Sequence, residues 1–283
     1  MDTLRINQWE LLNRQLVWAT EGPVLPVNQR CAYGLSGLQA AWYLHEGSVE
    51  ITHNRVAVRA GAGQWLFPAQ AQGFQEFSSD ARIVSIRFQV EWPTGLSLFN
   101  HDRALVVDGA RVPRLLRTAA RLASVAVTPA MGQPAHFGQM PVSLSSYLRL
   151  RTLFENWLQA YSDAMIAIGL SPRILPQLDE RVLDAIRWIK HAPLHEPFRE
   201  STLAKHLGLS VSQLNRLFTR DLGQSPKQLY EERRQQVARF ELSETAHPIK
   251  AIASNLGFLH PAHFTTWFRK TTGVSPTAYR VGI

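Results

Sequence analysis

The chain has 283 residues, of which 45% are hydrophobic and 18% charged, so it is long and apolar enough for two globular domains. Its formal net charge of +8 favours polyanionic partners such as nucleic acid. Cys31 is the only cysteine, which excludes an internal disulfide. The sequence has neither an apolar run long enough for a membrane span nor a secretory signal, so we expect a cytoplasmic protein.

Short apolar runs separated by turn residues fill the sequence between Cys31 and Trp92. The stretch AAWYLHEGSVEIT predicts a pair of strands around a turn at Glu46-Gly47-Ser48, and VAVRAGAGQWLFPA predicts a second pair around Gly61-Ala62-Gly63. ARIVSIRFQVEW alternates between two faces with the period of a half-buried strand. Many short strands with glycine turns indicate an antiparallel barrel or sandwich, and we predict an antiparallel β-barrel over residues 1–110 of an α+β chain.

Six side chains on these predicted strands have the chemistry of a small-molecule site. Such sites combine aromatic walls with a few polar groups, although core packing or surface exposure is the competing interpretation for each residue. We predict that a small-molecule effector binds at the mouth of the barrel, with contacts from Trp42, His45, Trp65, Phe67, Arg87 and Phe88. The alternative is a barrel that binds no metabolite and serves dimerisation or a protein partner.

Residues 111–177 are predicted to be a helical region that ends in the proline-containing linker Ser171–Gln177. We predict a short helix over Arg111–Ser124, a loop over Thr128–Pro141 and an amphipathic helix over Ser146–Gly169. The wide apolar stripe of the last helix can pack on its own domain and can also meet a second copy of the chain. We therefore predict a homodimer whose interface is formed by Leu150, Leu153, Phe154, Trp157, Leu158, Tyr161 and Met165.

Two segments of residues 178–283, a region predicted to be helical throughout, repeat each other. Residues 203–209, LAKHLGL, correspond to 252–258, IASNLGF, and GQSP at 223–226 corresponds to GVSP at 273–276. Each copy predicts a helix, a glycine turn, a second helix and a glycine stop. Two copies are too few for a solenoid. The pattern therefore predicts a DNA-binding domain with two helix-turn-helix units.

The second helix of each unit is expected to enter the major groove, with its N-terminal part against the base edges. Arginine can bind guanine, and asparagine adenine, through two hydrogen bonds, so Asn215 and Arg216 are the predicted base readers. The second unit has shorter side chains and is predicted to contribute more to positioning than to base discrimination. The predicted DNA-contacting set, for which a solvated surface is the competing interpretation, is Ser212, Gln213, Asn215, Arg216, Thr219, Arg220, Arg234, Lys250, Ala262, His263, Thr265, Thr266 and Lys270.

The stretch from Thr202 to Arg280 resembles the AraC/XylS family of bacterial transcription regulators. The resemblance rests on LAKHLGLS…LNRLF…LGQSP, followed by IKAIASNLGF…HF…WFRK…GVSPTAYR. It implies a seven-helix domain whose two recognition helices enter successive major grooves of double-stranded promoter DNA. The chain departs from the family pattern at Thr266, where a long polar or basic residue is usual, and this departure weakens the expectation of base readout by the second unit.

The N-terminal half is similar to the cupin-type sensor barrel of that family, through the glycines near Glu46 and Ala60. The similarity implies an effector inside the barrel and a dimer, with RNA polymerase as a partner if the protein is an activator. A cupin-type enzyme is the remote alternative, because His45 and His53 are eight residues apart and no His-x-His metal motif occurs between the strands. Neither a nucleophile motif nor a phosphate loop occurs, so we predict no catalysis, metal or cofactor. Nucleic-acid binding without sequence preference is a further alternative.

Overall fold

The chain divides into two compact units. The sheet unit comprises Arg14–Gln89 and Phe99–Pro172, and the helical unit comprises Met1–Asn13, Val90–Leu98 and Arg173–Val281. The computed structural model describes residues 3–33, 38–69, 73–93, 95–126, 141–174 and 178–281. Nearly all of the predicted loop over residues 128–141, and the end of the predicted linker over residues 171–177, lie outside the described residues. Among the helices described, none is long and apolar enough to cross a membrane.

The sheet unit is built on two antiparallel sheets. Sheet A has the strand order β1-β8-β3-β6-β9, and sheet B has the order β2-β7-β4-β5. Over the described ranges the two sheets are separate, so the predicted closed, cupin-like barrel is not confirmed, although the antiparallel strands and the α+β class are. The strands are β1 Asn13–Pro23, β2 Arg30–Tyr33, β3 Gln39–Glu46, β4 Ser48–His53, β5 Val56–Gly61, β6 Gln64–Phe67, β7 Gly73–Phe77, β8 Arg82–Glu91 and β9 Leu105–Asp108.

Glycine corners join the two sheets. The chain passes from β3 in sheet A to β4 in sheet B at Gly47, and returns from β5 to β6 at Gly61-Ala62-Gly63. Gly47 has a φ of +74°, and a Cβ here would collide with the Ser78 hydroxyl and lie 2.8 Å from Ala81 Cα. The strands predicted on either side of these two turns are confirmed, but β3 does not pair with β4, nor β5 with β6. Instead β4 pairs with β5 across Asn54-Arg55, whose φ values of 49° and 64° suit a tight hairpin turn.

The helices before the repeat are α1 Ile6–Trp9, α2 Pro26–Gln29, α3 Pro113–Val125 and α4 Leu144–Ala167. Helices α3 and α4 confirm the two helices predicted in this region. The apolar stripe of α4 packs on sheet A. The ring centroids of Trp157 and Tyr161 lie 4.8 Å and 5.1 Å from that of Phe88 on β8. Tyr161 also meets Phe67 and Phe99, so this face of the sheet is covered by the chain itself.

From residue 178 onward the helical unit consists of helices in sequence. They are α5 Glu180–His191, α6 Glu200–His206, α7 Val211–Leu222, α8 Pro226–Glu244, α9 Ile249–Asn255, α10 Pro261–Thr272 and α11 Pro276–Val281. The seven helices predicted for this region are confirmed, and the bounds that the sequence predicts for four of them, 180–191, 211–222, 226–244 and 261–272, agree with α5, α7, α8 and α10 at both ends. Helix α8 contacts α5, α7, α9, α10 and α11, so both copies of the repeat are attached to it.

Two segments from the N-terminal part of the sequence belong to the helical unit. The rings of Trp9 and Trp92 lie 5.7 Å apart, and the Trp92 indole N–H donates to the Arg173 carbonyl at 2.8 Å. Arg5 forms an ion pair of 2.9 Å with Glu180 at the start of α5. A local sequence pattern cannot predict these contacts, because the partners lie 81 and 175 residues apart in the chain. The domain boundaries predicted after residues 110 and 177 stay a prediction.

Candidate nucleic-acid interface

Helix α7 presents a polar face to solvent because its opposite face is buried. Leu214, Leu217 and Phe218 are buried, and each is less than a tenth exposed. The helix begins with a reciprocal cap, in which Ser210 Oγ accepts the Gln213 backbone N–H and Gln213 Oε1 accepts the Ser210 N–H. The predicted contact residues Ser212, Gln213, Arg216 and Thr219 are all exposed on this helix.

Asn215 is half-buried, and its amide has a defined orientation. Its Nδ2 donates to the Val211 carbonyl at 3.1 Å and to Glu200 Oε2 on α6 at 3.5 Å. The nitrogen therefore faces the protein, which leaves the oxygen Oδ1 as the group able to accept a hydrogen bond from a base. Nothing in the sequence pointed to Glu200, since the two residues lie on different helices.

Arg220 lies in a cluster of opposite charges at the far end of α7. Its guanidinium contacts Asp221 Oδ1 at 2.5 Å and Asp179 Oδ2 at 3.5 Å. Asp221 also accepts the Asp179 backbone N–H at 2.8 Å, which joins the start of α5 to the end of α7. Hydrogen bonds from Arg181 and Arg220 hold the pKa values of Asp179 and Asp221, respectively, below their usual range. The predicted role of Arg220 in DNA contact is therefore not supported, because two carboxylates already bind its guanidinium.

Arg234 of α8 is also occupied within the unit. Its Nε donates to the Leu256 carbonyl at 2.9 Å, and its guanidinium carbon lies 4.0 Å from the Phe258 ring centroid and 5.4 Å from that of Trp267. The side chain is only 16% exposed. The guanidinium is thus turned inward by a carbonyl and two aromatic rings, an arrangement that does not favour the predicted contact of Arg234 with DNA.

Helix α10 buries Phe264 and Phe268 and exposes short side chains on its other side. The Thr265 and Thr266 hydroxyls donate to the carbonyls of Pro261 and Ala262, each at 3.0 Å. The threonine hydroxyl protons are therefore used within the helix. The predicted residues Ala262, His263, Thr266 and Lys270 are exposed and Thr265 is half-buried, while Lys250 is exposed in the first turn of α9.

The six predicted effector residues do not form one site. Trp65, Phe67 and Phe88 are at most 1% exposed and lie on the α4 side of sheet A. Trp42 lies on the other side, in the core between the sheets, where it packs on Tyr33 and Phe77. His45 Nε2 is 3.0 Å from Glu21 Oε1. The sequence grouped these six residues wrongly because the two-residue period of a strand shows which side chains share a face, but not which other element covers that face.

Arg87 lies on the same side of sheet A as Trp42 and faces sheet B together with Ser85. The register pairs Arg87 with Ala40 and Ser85 with Trp42, and paired residues share a face. The Arg87 guanidinium lies 4.9 Å from the Trp18 ring centroid, and the Trp18 N–H donates to Ser85 Oγ at 3.5 Å. A cation, a hydroxyl and an aromatic ring thus meet on the inner face of sheet A.

The predicted dimer residues are largely used within the chain. Phe154, Trp157, Leu158, Tyr161 and Met165 are buried, each no more than 6% exposed, and Leu150 and Leu153 are half-buried. The structure thus contradicts the prediction that this buried group forms a dimer interface. Apart from Ile166 near its end, the large apolar residues that α4 exposes lie in its first two turns, which the sequence pattern missed: Leu144, Tyr147 and Leu148.

Comparison with known proteins assigns the class of the helical unit. A family model described as a helix-turn-helix domain matches residues 203–281. The arabinose operon regulatory protein of Salmonella typhimurium is 29% identical over 192 residues, which cover 68% of this chain and 62% of that protein. That of Escherichia coli is 36% identical over 114 residues, which cover 40% of this chain and 39% of that protein.

A solved structure of a transcriptional regulator of Chromobacterium violaceum, described as having an AraC-type DNA-binding domain, is 31% identical in sequence. The match covers 36% of this chain and 89% of that chain, with a TM-score of 0.33. The matches span less than two thirds of the length of the two arabinose operon regulatory proteins, 62% and 39% respectively. Residues 203–281 form a helix-turn-helix domain. This domain is similar to that of the arabinose operon regulatory proteins, in keeping with the resemblance to the AraC/XylS family noted in the sequence.

Asp179→Asn should remove an acid-dependent part of the stability. Because the folded-state pKa of Asp179 is depressed, its carboxylate stabilises the fold fully above its ordinary pKa of 3.8, and this contribution is lost as the pH falls below that value. Asparagine keeps the helix cap but loses the charge. We expect the variant to be less stable by roughly 1–2 kcal/mol at neutral pH, and the difference to shrink below about pH 4, as measured by urea unfolding.

Asp184→Asn is the matched control on the same helix. Asp184 pairs with Arg187 at 2.8 Å, but its side chain is 55% exposed. An exposed ion pair contributes little, so we expect a change within about 0.5 kcal/mol at neutral pH. Coincident unfolding curves for the Asp179 and Asp184 variants at every pH would contradict the role assigned to Asp179.

Proposed function

We propose that this chain regulates transcription by binding double-stranded promoter DNA in a sequence-specific manner through its two helix-turn-helix units. The observation that carries the proposal is the repeat, in which α7 and α10 each bury one apolar face and expose the other. The major groove admits a helix supported in this way. The similarity to the arabinose operon regulatory proteins supports the same role, and RNA polymerase is then the expected partner if the chain is an activator.

The two units are proposed to divide the work. In the first, Arg216 binds guanine, and Asn215 Oδ1 accepts a hydrogen bond from an adenine or cytosine amino group. In the second, Thr266 offers a methyl group because its hydroxyl proton is bound to the helix. Lys250 and Lys270 are proposed to bind phosphates, which gives affinity without sequence information. Base discrimination is therefore assigned mainly to α7.

Arg216→Ala should abolish most of the sequence preference. A bidentate arginine–guanine contact is worth about 1–3 kcal/mol of discrimination, so the affinity ratio between a selected operator and random duplex should fall about fivefold or more. Thr266→Ala should change this ratio by less than about threefold, because only a methyl contact is lost. Competition binding of the full chain at fixed salt measures both ratios.

Lys270→Ala is the control for a phosphate contact. It should weaken binding to operator and random DNA alike and lower the slope of log affinity against log salt by about 1. A larger loss of discrimination from Thr266→Ala than from Arg216→Ala would refute the proposed division. Equal affinity of the wild-type chain for operator and random DNA would instead support binding without sequence preference.

We also propose that two copies of the chain pair through the first two turns of α4. Leu144, Tyr147 and Leu148 follow the spacing of one helix face, and they are 72%, 48% and 53% exposed. Val142, just before the helix, is 52% exposed. A second copy offers the same apolar face, so a two-fold symmetric pair can cover both faces at once. This surface replaces the buried stripe as the proposed dimer interface.

Leu148→Glu should convert a dimer into a monomer, because it places a charge in the proposed interface. The control is Ile166→Glu at the other end of α4, where Ile166 is 45% exposed and lies outside the proposed interface. Sedimentation equilibrium of the full chain should give a dimer for the wild type and the control. A monomeric wild type, or equal dissociation of both variants, would contradict the proposed surface.

We propose that the sheet unit binds a small effector between its two sheets, and that the effector shifts the population of DNA-binding states. Arg87, Ser85 and Trp18 carry this proposal, because they bring a cation, a hydroxyl and a ring to the inner face of sheet A. An effector with a carboxylate or another acceptor group suits Arg87. The alternative is a sheet unit that binds no metabolite and serves dimerisation or a protein partner.

A thermal-stability screen against carboxylate-bearing metabolites tests the effector proposal. A compound that binds the folded chain must raise its Tm, and Arg87→Gln should abolish that rise. Arg82→Gln is the control on the same strand, since Arg82 is half exposed and lies 3.8 Å from Glu46. A rise that survives in the Arg87 variant would contradict the site. No rise with any compound would favour the alternative.

A further inference from the structure

We propose that the consecutive arginines Arg233 and Arg234 fix the separation at which the two recognition helices read DNA. This inference rests on the proposed function, and it makes the two residues positioning residues rather than DNA contacts.

Arg233 attaches α8 to α5, the helix that precedes the first copy and contacts its recognition helix. Its Nη1 donates to the carbonyls of Ile189 and Ala192, at 2.7 Å and 2.6 Å. These carbonyls lie at the C-terminal end of α5, where the last carbonyl groups of a helix have no N–H donor within the helix. Burial lowers the pKa of Arg233, but a guanidinium stays charged at neutral pH. Because α5 contacts α7, the arginine links the first recognition helix to α8.

Arg234, the next residue, attaches α8 to the second copy. Its Nε binds the Leu256 carbonyl at the end of α9, and its guanidinium stacks on Phe258 at 4.0 Å. It also lies against Trp267, which belongs to α10, the second recognition helix. Neighbouring residues on a helix point in different directions, so the arginine pair reaches α5 and the second copy from one turn of α8.

At Gly257 the second copy also touches the connection that leads from α5 to the first copy. This turn residue has a φ of +78°, and a Cβ here would lie 2.8 Å from the Leu194 carbonyl oxygen and 3.1 Å from that of His195. The equivalent glycine of the first copy, Gly208, has a φ of +65° with no atom of the described chain within 4 Å of a Cβ. Gly208 thus serves its own turn, whereas Gly257 also allows the second copy to approach the connection that leads to the first.

A joint held in this way should accept one spacing of DNA subsites. Each added base pair moves a subsite by about 3.4 Å along the duplex and rotates it by roughly a tenth of a turn. A rigid pair of recognition helices cannot follow that change without losing contacts in one groove. A loosened pair can follow it. The arginine pair and Gly257 should therefore control spacing preference separately from base preference.

The test first selects binding sites for the full chain from a random duplex library. Affinity is then measured for the best site and for the same site with one base pair inserted between its halves, and the ratio of the first affinity to the second is compared between variants. For the wild type we expect a two-part motif and a ratio of about tenfold or more. Arg234→Lys loses the planar stacking and the carbonyl geometry of the guanidinium. We expect Arg234→Lys and Gly257→Ala to select the same half-motifs, with the ratio reduced to about threefold or less.

Gly208→Ala is the matched control, because it strains the same kind of turn without touching the other copy, and it should keep the wild-type ratio. Circular dichroism melting establishes that each variant is folded, and Gly257→Ala still decides the matter if Arg234→Lys does not fold. The proposal is overturned if both folded variants keep the wild-type ratio, if Gly208→Ala lowers it equally, or if the wild type selects a one-part motif. Selection of no motif at all would instead overturn the proposed function.

Discussion

The helical unit depends on donors for the carbonyl groups at the ends of its helices. The last carbonyls of a helix have no partners within it, and leaving such a group unpaired and buried is costly. Arg233 supplies a donor to the end of α5 and Arg234 supplies one to the end of α9. Hydrogen bonds from a charged donor are stronger than neutral ones. One turn of a single helix therefore satisfies the ends of two helices: α5, which contacts the first recognition helix, and α9 of the second copy.

Net charge is a poor measure of how many cations can meet DNA. The chain carries a formal charge of +8, but several of its arginines in the helical unit are bound by groups of the protein. Arg181 and Arg220 contact Asp179, and Arg234 lies under aromatic rings. The cations left exposed next to the recognition helices are fewer and more dispersed, among them Arg216 and Lys270. Electrostatic attraction can bring the chain to DNA, whereas discrimination has to come from a small number of side chains.

The sequence predicted the helical unit well because its signals are local. Caps, glycine stops and the 3.6-residue period are all contained within a helix or its two ends, and the bounds of α7 and α10 agree with the prediction at both ends. The sheet unit was predicted less well because strand pairing is a long-range property. The pattern located strands around Gly47 without showing that this residue turns the chain into a second sheet. In the same way, the burial of Phe88 is decided by α4, which comes much later in the chain.

Equivalent residues in the two copies have different neighbours, and this limits what can be predicted from a sequence repeat. Sequence similarity fixed the shape of each hairpin but not its neighbours, so Gly208 and Gly257 have the same backbone conformation and different surroundings. The same holds for the recognition helices, since α7 begins with a reciprocal Ser210–Gln213 cap and α10 with a proline. A duplicated fold can therefore diverge in function while its periodic residues stay the same. The residues that separate the two copies are those that face DNA or face the other copy, and a search for function in such a domain should begin with them.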